Sequence, residues 1–90
     1  MNNRMMKAQD LISRQIGSET VVIKDNGLST HVLNKTAAYI WEMCDGTCSV
    51  DDITGKICER YEVDSDQANV DVRATIDQLL EIGLLNRLEA

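Results

Sequence analysis

The spacing of apolar residues divides the chain into a front third with a two-residue period and a longer part with a helical period. The front third predicts three strands, at residues 11–16 (LISRQI), 20–24 (TVVIK) and 28–33 (LSTHVL). Asn26-Gly27 lies between the second and third segments, and this pair favours a tight hairpin because both residues tolerate a positive φ. We therefore predict a small three-stranded antiparallel sheet.

Three helices are predicted after the sheet, since the period changes to about 3.6 residues from Asn34 onward. Asn34 is a suitable N-cap for the first helix, and Gly46 is suited to the left-handed position that ends it. Ser49 and Asp52 resemble a capping box at the start of the second helix, with Asp in place of Glu. That helix should end near Glu62.

The third helix is predicted to begin at Ser65 and to be closed by Gly83. Residues 84–88 form a short apolar tail that must pack against the rest of the chain. Residues 1–9 have no clear pattern and are expected to be a flexible lead-in, which leaves residues 10–90 as one domain. The expected fold class is α+β, with an N-terminal three-stranded antiparallel sheet followed by a winged-helix-like bundle of three helices.

The charge is concentrated in the second half of the 90-residue chain. Residues 1–44 carry five basic and four acidic side chains, whereas residues 45–90 carry four basic and eleven acidic ones. The whole chain has a net charge of −6. An acidic surface repels phosphate backbones and anionic lipids, so we expect neither nucleic acid nor a membrane as a partner. The sequence has no apolar run of membrane-spanning length and no signal-peptide core, which predicts a cytoplasmic protein.

The residues that could carry chemistry form no recognisable catalytic or metal-binding motif. Cys44 and Cys48 are four residues apart, and the next cysteine, Cys58, lies ten residues further on, inside a predicted helix. This spacing does not match the paired cysteines of a metal site. Three cysteines in a cytoplasmic protein fit reduced thiols better than a disulfide framework. His31 lies in a predicted strand, and the local sequence spacing implies no Ser, Cys or carboxylate partner for it. We therefore expect no cofactor, no metal and no catalytic residue.

The third predicted helix bears on a DNA-binding function, which is the obvious alternative for a winged-helix-like bundle. It carries four acidic residues against one basic residue: Asp66, Asp71, Asp77, Glu81 and Arg73. Such a helix in the major groove would be repelled by the phosphates it passed. A DNA-binding regulator is therefore disfavoured.

The third predicted strand offers a different kind of binding surface. It has no Lys or Pro to block its edge, and an open edge can accept a guest peptide as an additional strand. On a helical projection, Leu80 lies at the margin of the core face of the third helix, with Arg73 and Asp77 on the same flank. Two alternatives stay open at this point: residues 1–9 could cover the edge, or the edge could pair with a second copy and form a homodimer.

The stretch VVIKDNGLSTHVLNKTAAYIWEMCDG resembles the PqqD-like proteins. Their signature combines a hairpin ending in Leu-Asn, a Thr-Ala-Ala segment, an Ile-Trp pair and a closing Asp-Gly, and all four occur here in order. The similarity continues through Ser49-Val50-Asp51-Asp52-Ile53 and through Ile82-Gly83-Leu84-Leu85, and it covers about residues 19–85.

The resemblance implies a non-catalytic peptide chaperone that binds the leader segment of a ribosomally made precursor peptide by strand addition. It further implies that the chain presents the leader to a modifying enzyme, such as a radical SAM enzyme or a leader peptidase. Carried onto this sequence with the helical projection, the expected peptide-binding residues are Ser29, Thr30, His31, Val32, Leu33, Arg73, Ala74, Asp77 and Leu80.

One alternative to the peptide chaperone is a structural subunit that docks onto an enzyme without touching the peptide. Truncation of Leu80 is expected to weaken leader binding without unfolding the domain. An equal loss of stability would instead identify Leu80 as a core residue.

Overall fold

Two antiparallel sheets and three helices make up the computed structural model, which describes residues 4–87. The strands are β1 (Met5–Lys7), β2 (Ile12–Ile16), β3 (Glu19–Lys24), β4 (Ser29–Leu33) and β5 (Leu85–Arg87). The helices are α1 (Lys35–Glu42), α2 (Val50–Tyr61) and α3 (Ser65–Glu81). One sheet has the order β2-β3-β4 and the other pairs β1 with β5. This architecture confirms the predicted α+β fold and adds a second, smaller sheet.

The hairpin between β3 and β4 forms at the predicted Asn-Gly pair. Asn26 and Gly27 both have a positive φ, of 55° and 94° respectively, which is the conformation that such a tight connection needs. The resulting register places His31 opposite Val22. Because Val22 is fully buried, His31 belongs to the face of the sheet that is turned toward the helices.

The first two helices begin at the predicted caps. The Asn34 side-chain oxygen accepts a hydrogen bond from the Ala37 N–H at 2.8 Å. At the start of α2, the Ser49 hydroxyl accepts from the Asp52 N–H at 3.1 Å, and the Asp52 carboxylate accepts from the Ser49 N–H at 3.0 Å. Both halves of the capping box are therefore present. The hydrogen bonds that the Asp52 carboxylate forms with Ser49, above all the one from the Ser49 backbone N–H, hold the pKa of Asp52 below its usual value.

The third helix ends as expected, since Gly83 follows its C-cap with a φ of 83°. The prediction that Gly46 ends the first helix was wrong: α1 ends at Glu42 with Met43 as its C-cap, and Gly46, with a φ of 90°, lies in the turn beyond it. After Gly83, the Leu84 N–H donates back to the Leu79 carbonyl at 2.9 Å, which is the bond that closes a helix with a left-handed residue. No helix within residues 4–87 combines the length and the apolar character needed to cross a bilayer.

The start of the chain differs from the expected flexible lead-in at Met5–Lys7, which form β1. Met5 is only 3% exposed and belongs to the core, whereas Met6 points outward. β1 pairs with β5, so the apolar tail predicted at residues 84–88 finds its partner there; Leu88 and residues 1–3 lie outside the described residues. The Gly46 N–H donates to the Met5 carbonyl at 3.0 Å and fixes β1 against the end of α1.

The core lies between the inward face of the larger sheet and the three helices. Its fully buried side chains come from every layer: Val22 from the sheet, Ile40, Ile53 and Val72 from the helices, and Leu84 from the closing turn. Trp41 joins α1 to this turn, because its indole N–H donates to the Leu84 carbonyl at 3.1 Å. The packing fixes where α3 stands relative to the sheet.

Candidate functional site

β4 is an edge strand, since β3 is the one strand that pairs with it within residues 4–87. β1, which could have covered this edge, pairs with β5 in the other sheet. Along β4, Leu33 is buried and His31 half-buried, while Thr30 and Val32 are exposed on the outer face. The strand contains no Lys or Pro, so its free backbone groups can accept another strand.

A groove runs between β4 and α3. Its part nearest the strand is a cavity of about 310 Å³, lined by His31, Val32, Leu33, Asn34, Ala37, Thr75, Gln78, Leu79 and Ile82. An adjoining cavity of about 430 Å³ shares four of these residues and is lined by Asn34, Thr36, Ala37, Asp71, Ala74, Thr75 and Gln78. The shared residues make the two cavities one continuous groove beside the open edge. Its size is typical of a binding site.

The groove has an apolar floor and polar walls. Ala37 of α1 lies in both cavities, and Leu33 and Leu79 contribute buried apolar side chains to the first. Thr75 and Gln78 supply hydroxyl and amide groups from α3. Such a surface can hold apolar side chains of an extended segment while its amide and hydroxyl groups bond to polar ones.

The predicted site residues are divided by the structure between two flanks of α3. Ala74 lines the second cavity of the groove, whereas residues 31–33 of β4 line the first. Arg73 and Asp77 instead line a separate cavity of about 130 Å³ on the other flank, together with Met5 of β1 and Arg87 of β5. Arg73 and Asp77 are therefore not brought together with β4, and a role for them in peptide binding stays a prediction.

Leu80 belongs to neither part of the groove. Its side chain is half-buried and packs against the core.

Apart from Ala74, the groove-facing residues of α3 were not predicted from the sequence. Asp71, Thr75, Gln78 and Ile82 recur at spacings of three and four, so they share one side of the helix. That spacing was available in the sequence. What it did not show was which flank of the helix would face β4.

Lys24 links the sheet to the end of α3 beside the groove. Its half-buried ammonium group donates to the Ile82 carbonyl at 3.2 Å. Gly83 leaves room for this contact, because a Cβ at that position would clash with Lys24 Nζ. The contact ties β3, the neighbour of β4, to the apolar end of the groove.

The cysteines are free thiols, and Cys44 is the one without solvent exposure. Its Sγ donates to the Ile40 carbonyl at 3.2 Å. Burial, together with the nearby Cys48, raises the pKa of Cys44 to about 12, so it stays protonated at neutral pH. Among residues 4–87, no three His, Cys, Asp or Glu side chains come close enough to hold a metal ion.

A family model described as coenzyme PQQ synthesis protein D (PqqD) matches residues 19–85. That match includes β3, β4 and all three helices, and therefore the whole groove. No curated protein sequence matches the chain.

Solved structures with the same fold include two that are described as leader-peptide complexes. TbiB1 in complex with the TbiA(beta) leader peptide is 22% identical, with a TM-score of 0.80 over 94% of this chain and 99% of that one. Lasso peptide synthetase B1 complexed with the leader peptide is 24% identical, with a TM-score of 0.80 over 92% and 98%. The heterocyclase TruD is 14% identical, with a TM-score of 0.66 over 94% of this chain and 11% of TruD.

Proposed function

Since the chain belongs to the PqqD family, we propose that it is a recognition element that binds the leader segment of a ribosomally made precursor peptide. The observation that carries this proposal is the open edge of β4 beside the groove against α3. Two proteins with the same fold are described as complexes with leader peptides, which supports the same class of ligand here.

The binding mechanism that fits this geometry is strand addition. A guest segment would form main-chain hydrogen bonds to β4, and these bonds depend little on the guest's sequence. Because successive side chains of a strand point to opposite faces, every second guest side chain would enter the groove. Contacts there, with Ala37, Thr75, Gln78 and Ile82, would then select the leader.

The proposal includes presentation of the bound leader to a separate modifying enzyme, a radical SAM enzyme or a leader peptidase. The titratable side chains that line the groove, His31 and Asp71, come from different elements and have no hydrogen bond to one another among the described residues. An edge and a groove of this kind bind and orient a peptide, while bond-breaking stays with the partner. We place the protein in the cytoplasm, where such precursors are made and where its three thiols would stay reduced.

The experiment that tests this function is a titration of isotope-labelled protein with the N-terminal segment of the precursor peptide encoded beside it, followed by amide NMR. Shifts should cluster on β4 and on the flank of α3 formed by Asp71, Ala74, Thr75, Gln78 and Ile82. The flank with Arg73 and Asp77 serves as the internal control.

Two outcomes would count against the proposal. If no amide shifts change at saturating peptide while the protein still binds the modifying enzyme, the protein would be a docking subunit that does not bind the leader. Shifts confined to Arg73, Asp77 and Arg87 would move the peptide to the other flank of α3.

A further inference from the structure

The two ends of the groove differ in chemistry. At one end, Leu79 of α3 and Ile82 of its C-terminal turn line the same cavity as Leu33 of β4 and form an apolar surface. At the other end, Asp71 of α3 lies near Thr36 of α1. A peptide that follows the groove would therefore meet apolar side chains at one end and a carboxylate at the other.

Among residues 4–87, the acidic end has no basic side chain in its lining. Within this part of the chain, Asp71 and His31 are the titratable residues of the two cavities, and neither cavity contains Lys or Arg. The Gln67 side-chain amide donates to Asp71 Oδ1 at 3.0 Å, which fixes the position of this carboxylate one turn before Thr75. The chain as a whole carries a net charge of −6, so its field attracts cationic segments.

The distance between the two ends sets a spacing in the ligand. Asp71 and Ile82 are eleven residues apart on α3 and its C-terminal turn, which corresponds to about 16 Å at a rise of about 1.5 Å per residue. An extended peptide rises about 3.4 Å per residue, so it covers this distance in about five residues. Because side chains return to the same face every two residues, the matching offset is about four.

Resting on the proposed function, we infer that the leader recognised by this groove carries a Lys or Arg about four residues from an apolar side chain. The apolar side chain lies against Leu79 and Ile82, and the cation lies against Asp71. Asp71 is thus a specificity-determining residue, and the order of the two side chains in the leader reports the direction of the added strand.

The test compares two peptides on three proteins. The peptides are the N-terminal segment of the precursor encoded beside the chain and a copy with every Lys and Arg changed to Gln. The proteins are the wild type, Asp71→Asn and Asp77→Asn, a control that removes the same charge from the opposite flank of α3. Fluorescence anisotropy of labelled peptide measures each Kd at about 0.05 M and about 0.5 M salt.

Asp71→Asn should weaken binding of the native leader roughly 2- to 5-fold at the lower salt concentration, as an exposed ion pair allows. The difference should fade at the higher salt, and it should vanish with the uncharged peptide. Asp77→Asn should change the Kd less than Asp71→Asn does. Asp71→Lys should prefer a leader whose cation is replaced by Glu.

Three results would overturn the inference. If the leader binds without a Lys or Arg at this spacing, or if Asp71→Asn and Asp77→Asn have equal effects, the inference fails while leader recognition stands. If Asp71→Asn leaves the Kd of the native leader unchanged at both salt concentrations, the inference fails in the same way. If neither peptide binds any of the proteins, the proposed function fails as well.

Discussion

Cys44 differs from the other two cysteines in its exposure, because it is fully buried while Cys48 and Cys58 are half-buried. Its pKa is raised from 9.0 to about 12, which lowers its thiolate fraction near neutral pH by roughly 1,000-fold. We expect iodoacetamide at mildly alkaline pH to label Cys48 and Cys58 and to spare Cys44 until denaturant is added. Intact-mass and peptide mass spectrometry would measure this, and rapid labelling of all three in the native protein would contradict it.

The same burial makes stability depend on alkaline pH. The pKa of Cys44 is higher in the folded state than in the unfolded state, so the unfolded chain loses its proton first as the pH rises. The contribution of Cys44 to the free energy of unfolding is therefore fully present below about pH 9 and is lost progressively between about pH 9 and 12. Cys44→Ala should remove this part of the pH dependence in urea unfolding curves.

Truncation of Leu80 distinguishes a core role of this side chain from a role in peptide binding. Its side chain is half-buried, packs against the core and lies outside the groove lining. We expect Leu80→Ala to lower the free energy of unfolding by about 1–2 kcal/mol, less than the 2–5 kcal/mol of a fully buried leucine. The Kd for the leader should change little. A weaker Kd with an unchanged urea midpoint would instead support the peptide contact inferred from the helical projection.

Ala37 brings α1 to the floor of the groove between β4 and α3. Ala37→Leu should fill that space without disturbing the core, since the side chain is only partly buried. A leader side chain would then have to share the groove with the larger residue. Overpacking of this kind costs about 1–3 kcal/mol, so leader affinity should fall roughly 5- to 150-fold. Ala37→Ser is the matched control, with a small side chain and an expected wild-type Kd. An unchanged Kd for Ala37→Leu, measured by calorimetry, would remove α1 from the binding surface.

Lys24 sets the relation between the sheet and α3 through its bond to the Ile82 carbonyl. Lys24→Met keeps the aliphatic stem but removes the donor, and we expect about 1 kcal/mol of lost stability together with weaker leader binding. Amide shifts at Ile82 and Gly83 in the free protein would report the local change. Lys56→Met, an exposed change on α2, should leave both stability and the Kd unaltered. Equal effects of the two variants would show that Lys24 acts only through its charge.

The local signals of the sequence were sufficient to predict most elements. Asn34, the Ser49–Asp52 pair and the Asn26-Gly27 turn each use a specific side chain or backbone conformation, and each forms as expected. Local chemistry of this kind depends on a few neighbouring residues. Caps and turns of this kind can therefore be predicted without knowledge of the tertiary packing.

The flank of α3 that faces β4 could not be predicted in the same way. The buried stripe of α3 has Asp71, Thr75 and Gln78 on one side and Arg73 and Asp77 on the other. Both flanks border the buried stripe equally on a helical projection, so the sequence alone does not decide which of them faces β4. Only the direction in which α3 crosses the sheet decides between them, and that direction is a tertiary property.

β1 was missed for a different reason. It is three residues long, and its single buried side chain, Met5, cannot produce a periodic pattern. Its pairing with β5 joins residues from the two ends of the described chain. Contacts between segments so distant in sequence leave no local signal.

For the whole molecule, the open edge that would accept a leader can also accept a second copy. β4 has five residues and a length of about 17 Å, so pairing of two such edges buries much less than the roughly 800 Å² per partner of a stable interface. A dimer formed through β4 should therefore be weak. The protein is expected to be a monomer at about micromolar concentrations, where leader binding is measured.

A leader added to β4 and a second copy paired with β4 would compete, because both would use the same backbone groups. We expect sedimentation velocity at rising protein concentration to detect weak dimers, and added leader to convert them into one-to-one complexes. Val32→Lys, which places a charge on the exposed face of β4, should reduce the dimer in the absence of peptide. A dimer that binds leader on both copies and keeps its dissociation constant would locate the self-contact away from β4. The edge would then be reserved for the peptide.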